Sequence, residues 1–213
     1  DKSVRVLDVV GQNLTKLDVS ANTNLQELYC SFPLKKLNAS GCPNLRRLVC
    51  YCTLLSTLDV SAHTRMEWLA CEGGQLTNLN MSGCSSLEKV TCGNNQLTSL
   101  DLSGCTNLQR MDCGGNHLTK LDVSSCAALQ ELDCSQNQLS NLDVSLCTSL
   151  RELWLSSNRL TSLDISANRD LRLIDAPNNP LTEIIVWWSP PTNIPPAVHL
   201  YYDGHPVLRN KEK

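Results

Sequence analysis

Aromatic residues are scarce in this chain: four tryptophans, four tyrosines and one phenylalanine in 213 residues. Large rings dominate the energetics of most cores, so this interior must be filled by something smaller and more uniform. Long apolar runs are also missing, and none approaches the roughly 18–20 residues that span a bilayer as a helix. Neither sign of charge prevails. The 18 basic and 21 acidic side chains leave a net charge of -3, which gives nucleic acid or an anionic membrane no global attraction. The one basic cluster, RNKEK at 209–213, reads as a solvated end. No signal peptide is present, yet a repeat is under way by Val4. That start predicts a processed chain and leaves its compartment open.

Recognisable reaction chemistry is absent too. His63, His117, His199 and His205 lie far apart, and no HExxH, Ser-His-Asp order or glycine-rich phosphate loop stands out. The Gly-Gly pairs at 73–74 and 114–115 fall at turns. No catalytic residue, metal ligand or cofactor site is expected. The sequons at Asn13, Asn38 and Asn80 arise from the repeat itself.

What the chain has is periodicity. LEKVTCGNNQLTSLDLSGCTN at 87–107 is followed by LQRMDCGGNHLTKLDVSSCAA and LQELDCSQNQLSNLDVSLCTS. Apolar residues recur at positions one, four, eleven, fourteen and sixteen, cysteine at six and nineteen, and Asp-x-Ser at fifteen to seventeen. Extending the register gives nine coils, starting at Val4, Leu25, Leu45, Met66, Leu87, Leu108, Leu129, Leu150 and Leu171. Each is 21 residues long except the second, which loses one residue between Cys30 and Leu34. A fixed period of this kind predicts stacked units sharing one continuous core.

The segment LxxLxC alternates as a half-buried strand does, and LTxLDVS alternates again five residues later. The expected fold is a β-rich solenoid with a parallel sheet on one wall, short strands on the opposite wall and little helix. Nine coils at a strand spacing of about 4.8 Å give a length of roughly 43 Å. Asn95, Asn116, Asn137, Asn158 and Asn179 mark the turn between the strands, where buried amides can satisfy open backbone groups. The pattern stops after Val186. Residues 1–186 are therefore read as solenoid and 187–213 as a cap and tail, with Trp187 and Trp188 packing over the last coil. A sugar-binding tryptophan pair is the alternative for that segment. Val4, Val6, Val9 and Val10 have no such lid, which predicts that a segment once preceded them.

The frame LxxLxCxxNxLxxLDVSxCxx, from residue 4 to about 186, resembles the short leucine-rich repeats of bacterial surface proteins. It is similar above all to the internalin subgroup with a ladder of cysteines, and to repeats in secreted or lipid-anchored proteins of gut Bacteroidetes. The resemblance implies a right-handed coil with its parallel sheet concave, a secreted or cell-surface location and a role in adhesion or protein–protein interaction. Two features depart from the internalin pattern: no helical cap precedes coil one, and a second cysteine column stands at position nineteen.

Cysteine column six holds Cys30, Cys50, Cys71, Cys92, Cys113 and Cys134; column nineteen holds Cys42, Cys84, Cys105, Cys126 and Cys147. Disulfides require Cβ atoms about 3.5–4.5 Å apart with converging directions, and zinc requires four ligands around one point. Side chains in one column point the same way, and Val9, Leu155 and Ala176 replace cysteine in column six. Buried, reduced thiols acting as small apolar fillers are the favoured reading. Cys52 stands off both columns and is expected nearer the surface. The Asp column (Asp18, Asp59, Asp101, Asp122, Asp143, Asp164) tolerates Asn38 and Asn80, which favours local bonds to backbone over calcium.

Function is sought where coils differ. All five aromatics before the cap (Tyr29, Phe32, Tyr51, Trp68 and Trp154) fall in the outward strand columns three, five and seven or in column eight beside them. Four of them gather on coils two to four, near Glu27, Arg47 and Glu72. Aromatics with arginine are frequent interface anchors. The candidate ligand-binding set is Tyr29, Phe32, Arg47, Tyr51, Trp68, Glu72 and Trp154. The expected function is a non-enzymatic, monomeric module that binds a protein through this face. Glycan binding on the aromatic rings and a structural spacer role are the alternatives.

Overall fold

The computed structural model describes residues 3–9, 14–51, 53–61, 63–190 and 194–211. Val10, Asn13, Cys52 and the last two residues of the tail lie outside them. The described chain winds as a parallel β-solenoid of about nine regular turns without helix. One sheet of ten parallel strands runs its length, one strand per coil. It begins with Val6–Asp8 and Glu27–Tyr29 and ends with Leu173–Asp175 and His199–Tyr201. Pairing joins equivalent positions, so Glu27, Arg47, Trp68 and Lys89 face one another in column three. Each strand has only three residues, because the chain must turn the corner to the opposite wall within 21.

The alternation explains the layers. In each strand the central residue points inward, and Leu28, Leu48, Leu69, Val90, Leu132, Leu153 and Ile174 are fully buried. Leucines of columns one and eleven stack above one another in a single core that runs from Val19 to Trp188. Core-facing leucine at such a position contributes roughly 1.5–3 kcal/mol by burial.

The opposite wall is discontinuous. Lys16–Asp18 pairs with Lys36–Asn38, Thr57–Asp59 with Asn78–Asn80, and Ser162–Asp164 with Glu183–Val186, which in turn pairs with Val207–Asn210. Coils five to seven carry no strand there. The segment after Val186 does more than lie across the end. His199–Tyr201 extends the long sheet and Val207–Asn210 extends the opposite wall, forming an irregular further coil. Trp188 is buried in the core, with Trp187 edge-on at 4.6 Å. That burial removes Trp188 as a platform for sugar.

Three polar files run along the solenoid, two of them bonding coil to coil. Each ladder asparagine donates to a carbonyl of the preceding coil and accepts from a backbone N–H there. Asn137 Nδ2 donates to Cys113 O (3.1 Å) and Cys134 O (3.1 Å), and Oδ1 accepts from Leu118 N (2.9 Å). Asn95, Asn116, Asn158 and Asn179 repeat the arrangement. The Asp column instead works within its own turn. Oδ1 of Asp59 accepts from the N–H (2.9 Å) and hydroxyl (2.7 Å) of Ser61, and Asn80 does the same for Ser82. These bonds hold the carboxyl of Asp59 below its ordinary range. Among the described residues no acidic, cysteine or histidine cluster suits a metal ion.

Column nineteen is the third file. The thiols of Cys42, Cys84 and Cys147 donate to Val19 O (3.2 Å), Val60 O (3.3 Å) and Val123 O (3.5 Å), each in an earlier coil. His63 places Nε2 at 3.1 Å from Ala39 O, and Asn168 Nδ2 donates to Val144 O at 2.9 Å. Cysteine in this column is therefore a hydrogen-bond donor as well as a filler. Its replacements in the sequence are donors, whereas those in column six are apolar. Cys147→Ser, which keeps a donor, is expected to change stability by less than about 1 kcal/mol. Cys113→Ser, which buries a hydroxyl in the apolar column, is expected to cost about 1–3 kcal/mol. Urea denaturation of the two variants under reducing conditions compares them directly.

Candidate functional site

The outward face of the long sheet carries the residues that vary between coils. Tyr29, Arg47, Tyr51, Trp68, Glu72 and Trp154 all retain solvent access there. Phe32 does not. It is only 5% exposed and belongs to the core. The missing residue of coil two explains the difference. Counted back from Leu34 rather than forward from Leu25, Phe32 occupies column nine, where later coils bury asparagine. Thr53 is buried at the same position in coil three, and Gly74 holds it in coil four. Coils two to four thus lack the asparagine file as well as carrying the aromatics.

Around Trp68 the structure brings five side chains together. The Tyr29 hydroxyl donates to Glu27 Oε2 at 2.7 Å, and this bond, with burial, raises the tyrosine pKa. Glu27 Oε1 lies 3.8 Å from Arg47 Nη1. The Arg47 guanidinium stands 5.8 Å from the Trp68 ring centroid, and Lys89 Nζ stands at 5.1 Å. Two cations on one indole fix its position, a contact worth about 0.5–1 kcal/mol each at an exposed site. The Trp68 indole N–H is buried without a hydrogen-bond partner, as are Trp188 Nε1 and Asn168 Oδ1 among the described residues. Arg46 and Glu67 form a further ion pair at the rim. A shallow groove of about 190 Å³ opens here, lined by Arg47, Glu67, Trp68, Glu88, Lys89 and Arg110.

Tyr51 and Glu72 stand one column further along. Burial, followed by the charge of Glu72, raises the Tyr51 pKa. Trp154 is not part of this cluster. It lies four coils beyond Trp68, paired in register with Asp133 and Asp175. With Lys89, Arg110, Asp112 and Glu131 it lines an adjoining groove of about 250 Å³, which shares Lys89 and Arg110 with the groove at Trp68. Burial pushes the Asp112 carboxyl up, although the Gly114 N–H donates to it at 3.0 Å. The sequence underrated Lys89, whose place over Trp68 follows from the strand register alone.

The family model for leucine-rich repeats (two copies) matches residues 106–147 and 127–168. The functional domain of InlJ from Listeria monocytogenes, which includes a cysteine ladder, is 30% identical with a TM-score of 0.83. That likeness covers 98% of this chain and 44% of the InlJ chain. This chain is a leucine-rich repeat solenoid that resembles the bacterial internalins. Leucine-rich repeat structures at lower identity share the fold. A leucine-rich repeat protein of Leptospira interrogans is 22% identical with a TM-score of 0.65, covering 93% of this chain and 59% of that one. InlF, an internalin of Listeria monocytogenes, is 22% identical with a TM-score of 0.62, covering 79% and 64%. The chain thus spans less than half of the InlJ chain and less than two thirds of the other two. No curated protein sequence matches it significantly. Leucine-rich repeat proteins of the internalin type are generally protein-interaction modules, and their solenoid is typically a non-enzymatic scaffold. No helix among the described residues is long and apolar enough to cross a membrane.

Proposed function

We propose that this leucine-rich repeat chain binds a protein partner through the outward strand face of coils two to four. The observation that carries the reading is the Trp68 cluster, in which Tyr29, Glu27, Arg47 and Lys89 preorganise an aromatic–cation surface on a rigid sheet. A surface fixed before binding loses little freedom when the partner arrives. Tyr51 and Glu72 extend the patch, and Trp154 forms a second contact region on the same face. The reading takes residues 1–186 as the solenoid body, residues 187–213 as its cap and the chain as a monomer with no catalytic role. Column six serves as a cysteine ladder of reduced thiols. The likeness to internalins supports a secreted or cell-surface bacterial setting, with a lipid anchor as one means of attachment, and adhesion as the biological use.

Glycan binding is the second reading, favoured by Tyr29, Tyr51, Trp68 and Trp154 as stacking rings. Arg47 and Lys89 already stand over Trp68, so a sugar must displace them to stack, which disfavours it. A glycan array and a protein pull-down separate the readings. The expected outcome is an empty array and a partner whose capture is lost in Tyr51→Ala/Trp68→Ala. Array hits lost in the same variant would establish the carbohydrate reading instead. Capture that survives the variant would leave only the spacer role.

A further inference from the structure

On the wall opposite the strand face, Lys16 and Lys36 stand directly across from each other in register. Like charges so placed repel, and sheets generally avoid them. Lys35 adds a third ammonium beside them. No other coil repeats the arrangement: column twelve is serine or threonine in every coil but the second, and column thirteen carries one further lysine, Lys120 in coil six. All three lysines are exposed, and none has an ion-pair partner among the described residues. They line a cleft of about 450 Å³ with Leu17, Asp18, Leu37, Asn38, Leu55, Ser56 and Thr57.

The cleft lies at one of the junctions where the backbone ladder of this wall is open, as it also is from coil four to coil eight. Between coils one and two, the N–H groups of Lys35 and Lys36 donate to Thr15 O at 2.8 and 3.2 Å. Between coils three and four, those of Thr77 and Asn78 donate to Ser56 O. Between coils two and three the corresponding donors, the N–H groups of Ser56 and Thr57, have no backbone acceptor among the described residues. His63 Nε2 at 3.1 Å from Ala39 O bridges the junction deeper in. The single acid of the cleft, Asp18, is engaged by the hydroxyl and N–H of Ser20 and by the Asn38 amide (3.1 Å). Three ammoniums face one carboxylate, with two free N–H donors alongside.

We propose that this cleft binds an oxyanion ester, sulfate or phosphate, carried on a glycan. The anionic group, singly charged as a sulfate ester and up to doubly charged as a phosphate monoester, relieves the Lys16–Lys36 repulsion, since lysine serves as a point charge for such anions. The Ser56 and Thr57 hydroxyls suit sugar hydroxyls, and the leucines provide an apolar floor for a ring. No aromatic ring lines the cleft, which leaves nothing for a nucleobase to stack on. This site is independent of the strand face.

The test is calorimetric titration of the folded chain with a heparin-derived hexasaccharide, a phosphorylated oligomannose, their unmodified counterparts and inorganic phosphate. Preference between the first two assigns the ester as sulfate or phosphate. At least one is expected to bind tenfold or more tightly than its unmodified counterpart and than inorganic phosphate. That binding weakens tenfold or more in Lys16→Gln/Lys36→Gln and as salt rises from 50 to 300 mM. Lys120→Gln, in the same column, and Tyr51→Ala/Trp68→Ala leave it unchanged. Retention of full affinity by Lys16→Gln/Lys36→Gln, or no binding of either esterified sugar, overturns the site. Inorganic phosphate binding as tightly as the sugars, or lysine-dependent capture by phosphatidylserine vesicles alone, overturns the glycan as its ligand.

Discussion

Raising the pH from 8 to about 10.5 in the presence of reductant is expected to unfold this protein in a steep, cooperative transition. The eleven described cysteines are all free and buried. Burial disfavours their thiolates, lifting the pKa of Cys84, Cys105 and Cys147 to about 11 and that of Cys30 and Cys126 to about 12. The others shift in the same direction for the same leading reason. A raised folded pKa means that the contribution of each thiol is complete below the unfolded value near 9. It is lost as pH climbs from there through the folded value. Above pH 9 the unfolded chain releases protons that the folded chain retains. Each strongly shifted thiol then removes about 1.4 kcal/mol per pH unit, and the ten other than Cys42 together remove on the order of 14 kcal/mol per unit. Total stabilities lie near 5–15 kcal/mol, so the window is narrow. Circular dichroism against pH checks it. Replacing Cys113 and Cys134 by alanine, which already stands in that column at Ala176, makes the transition shallower. Stability that stays flat to pH 11 would mean the thiols are oxidised or solvated.

The second large effect is expected from Asn137→Ala. The substitution strips the buried Leu118 N–H of its acceptor, while the Cys113 and Cys134 carbonyls each lose one donor and keep another, Asn116 and Asn158 respectively. A buried N–H left unpaired costs about 1–3 kcal/mol and each further lost bond about 0.5–1.5 kcal/mol, so the loss sums to roughly 2–4 kcal/mol. Each coil of a solenoid is stabilised mainly by its neighbours, and the damage is therefore local at first. Hydrogen exchange should lose protection around coils six and seven before the ends respond, and urea denaturation should shift to a lower midpoint. Asn137→Asp keeps the acceptor for Leu118 N–H but removes the donors and buries a charge, so it should be no better tolerated.

The sequence makes the fold legible because the core demands the same residue at the same height in every coil. Columns one, four, eleven and fourteen are apolar for one steric reason, and the structure stacks them as that regularity requires. The buried asparagines were legible for the same reason. Where the repeat slips, counting fails. Phe32 reads as an outward ring from one end of coil two and as a core ring from the other, and only packing decides. Position nineteen of coils one, three and eight is Asn22, His63 and Asn168, all side chains that can donate, and these replacements signal the donor role of Cys42, Cys84 and Cys147. That signal becomes clear once the neighbouring carbonyls have positions. The strands of the cap were hidden, since prolines and an altered spacing break the period there.

At the candidate site the register alone places Arg47, Trp68 and Lys89 side by side. The hydrogen bond from Tyr29 to Glu27 and the closeness of both cations to one ring depend on side-chain rotamers, which no periodicity specifies. Trp154 illustrates the opposite limit. Its column matches the outward set, yet four coils of about 4.8 Å separate it from Trp68, so the two rings do not touch and meet only through the adjoining grooves that share Lys89 and Arg110.

The central claim is that the strand face of coils two to four binds a protein partner. It is tested most directly by the affinity of the purified, captured partner for three chains: wild type, Tyr51→Ala/Trp68→Ala, and Lys120→Ala/Asn141→Ala on the opposite wall. Anchors at the centre of an interface contribute 2 kcal/mol or more each, so the first variant is expected to bind about a hundredfold or more weakly. The opposite-wall variant is expected to bind like wild type. Equal affinity of all three chains, or a loss confined to the Lys120/Asn141 variant, would contradict the account.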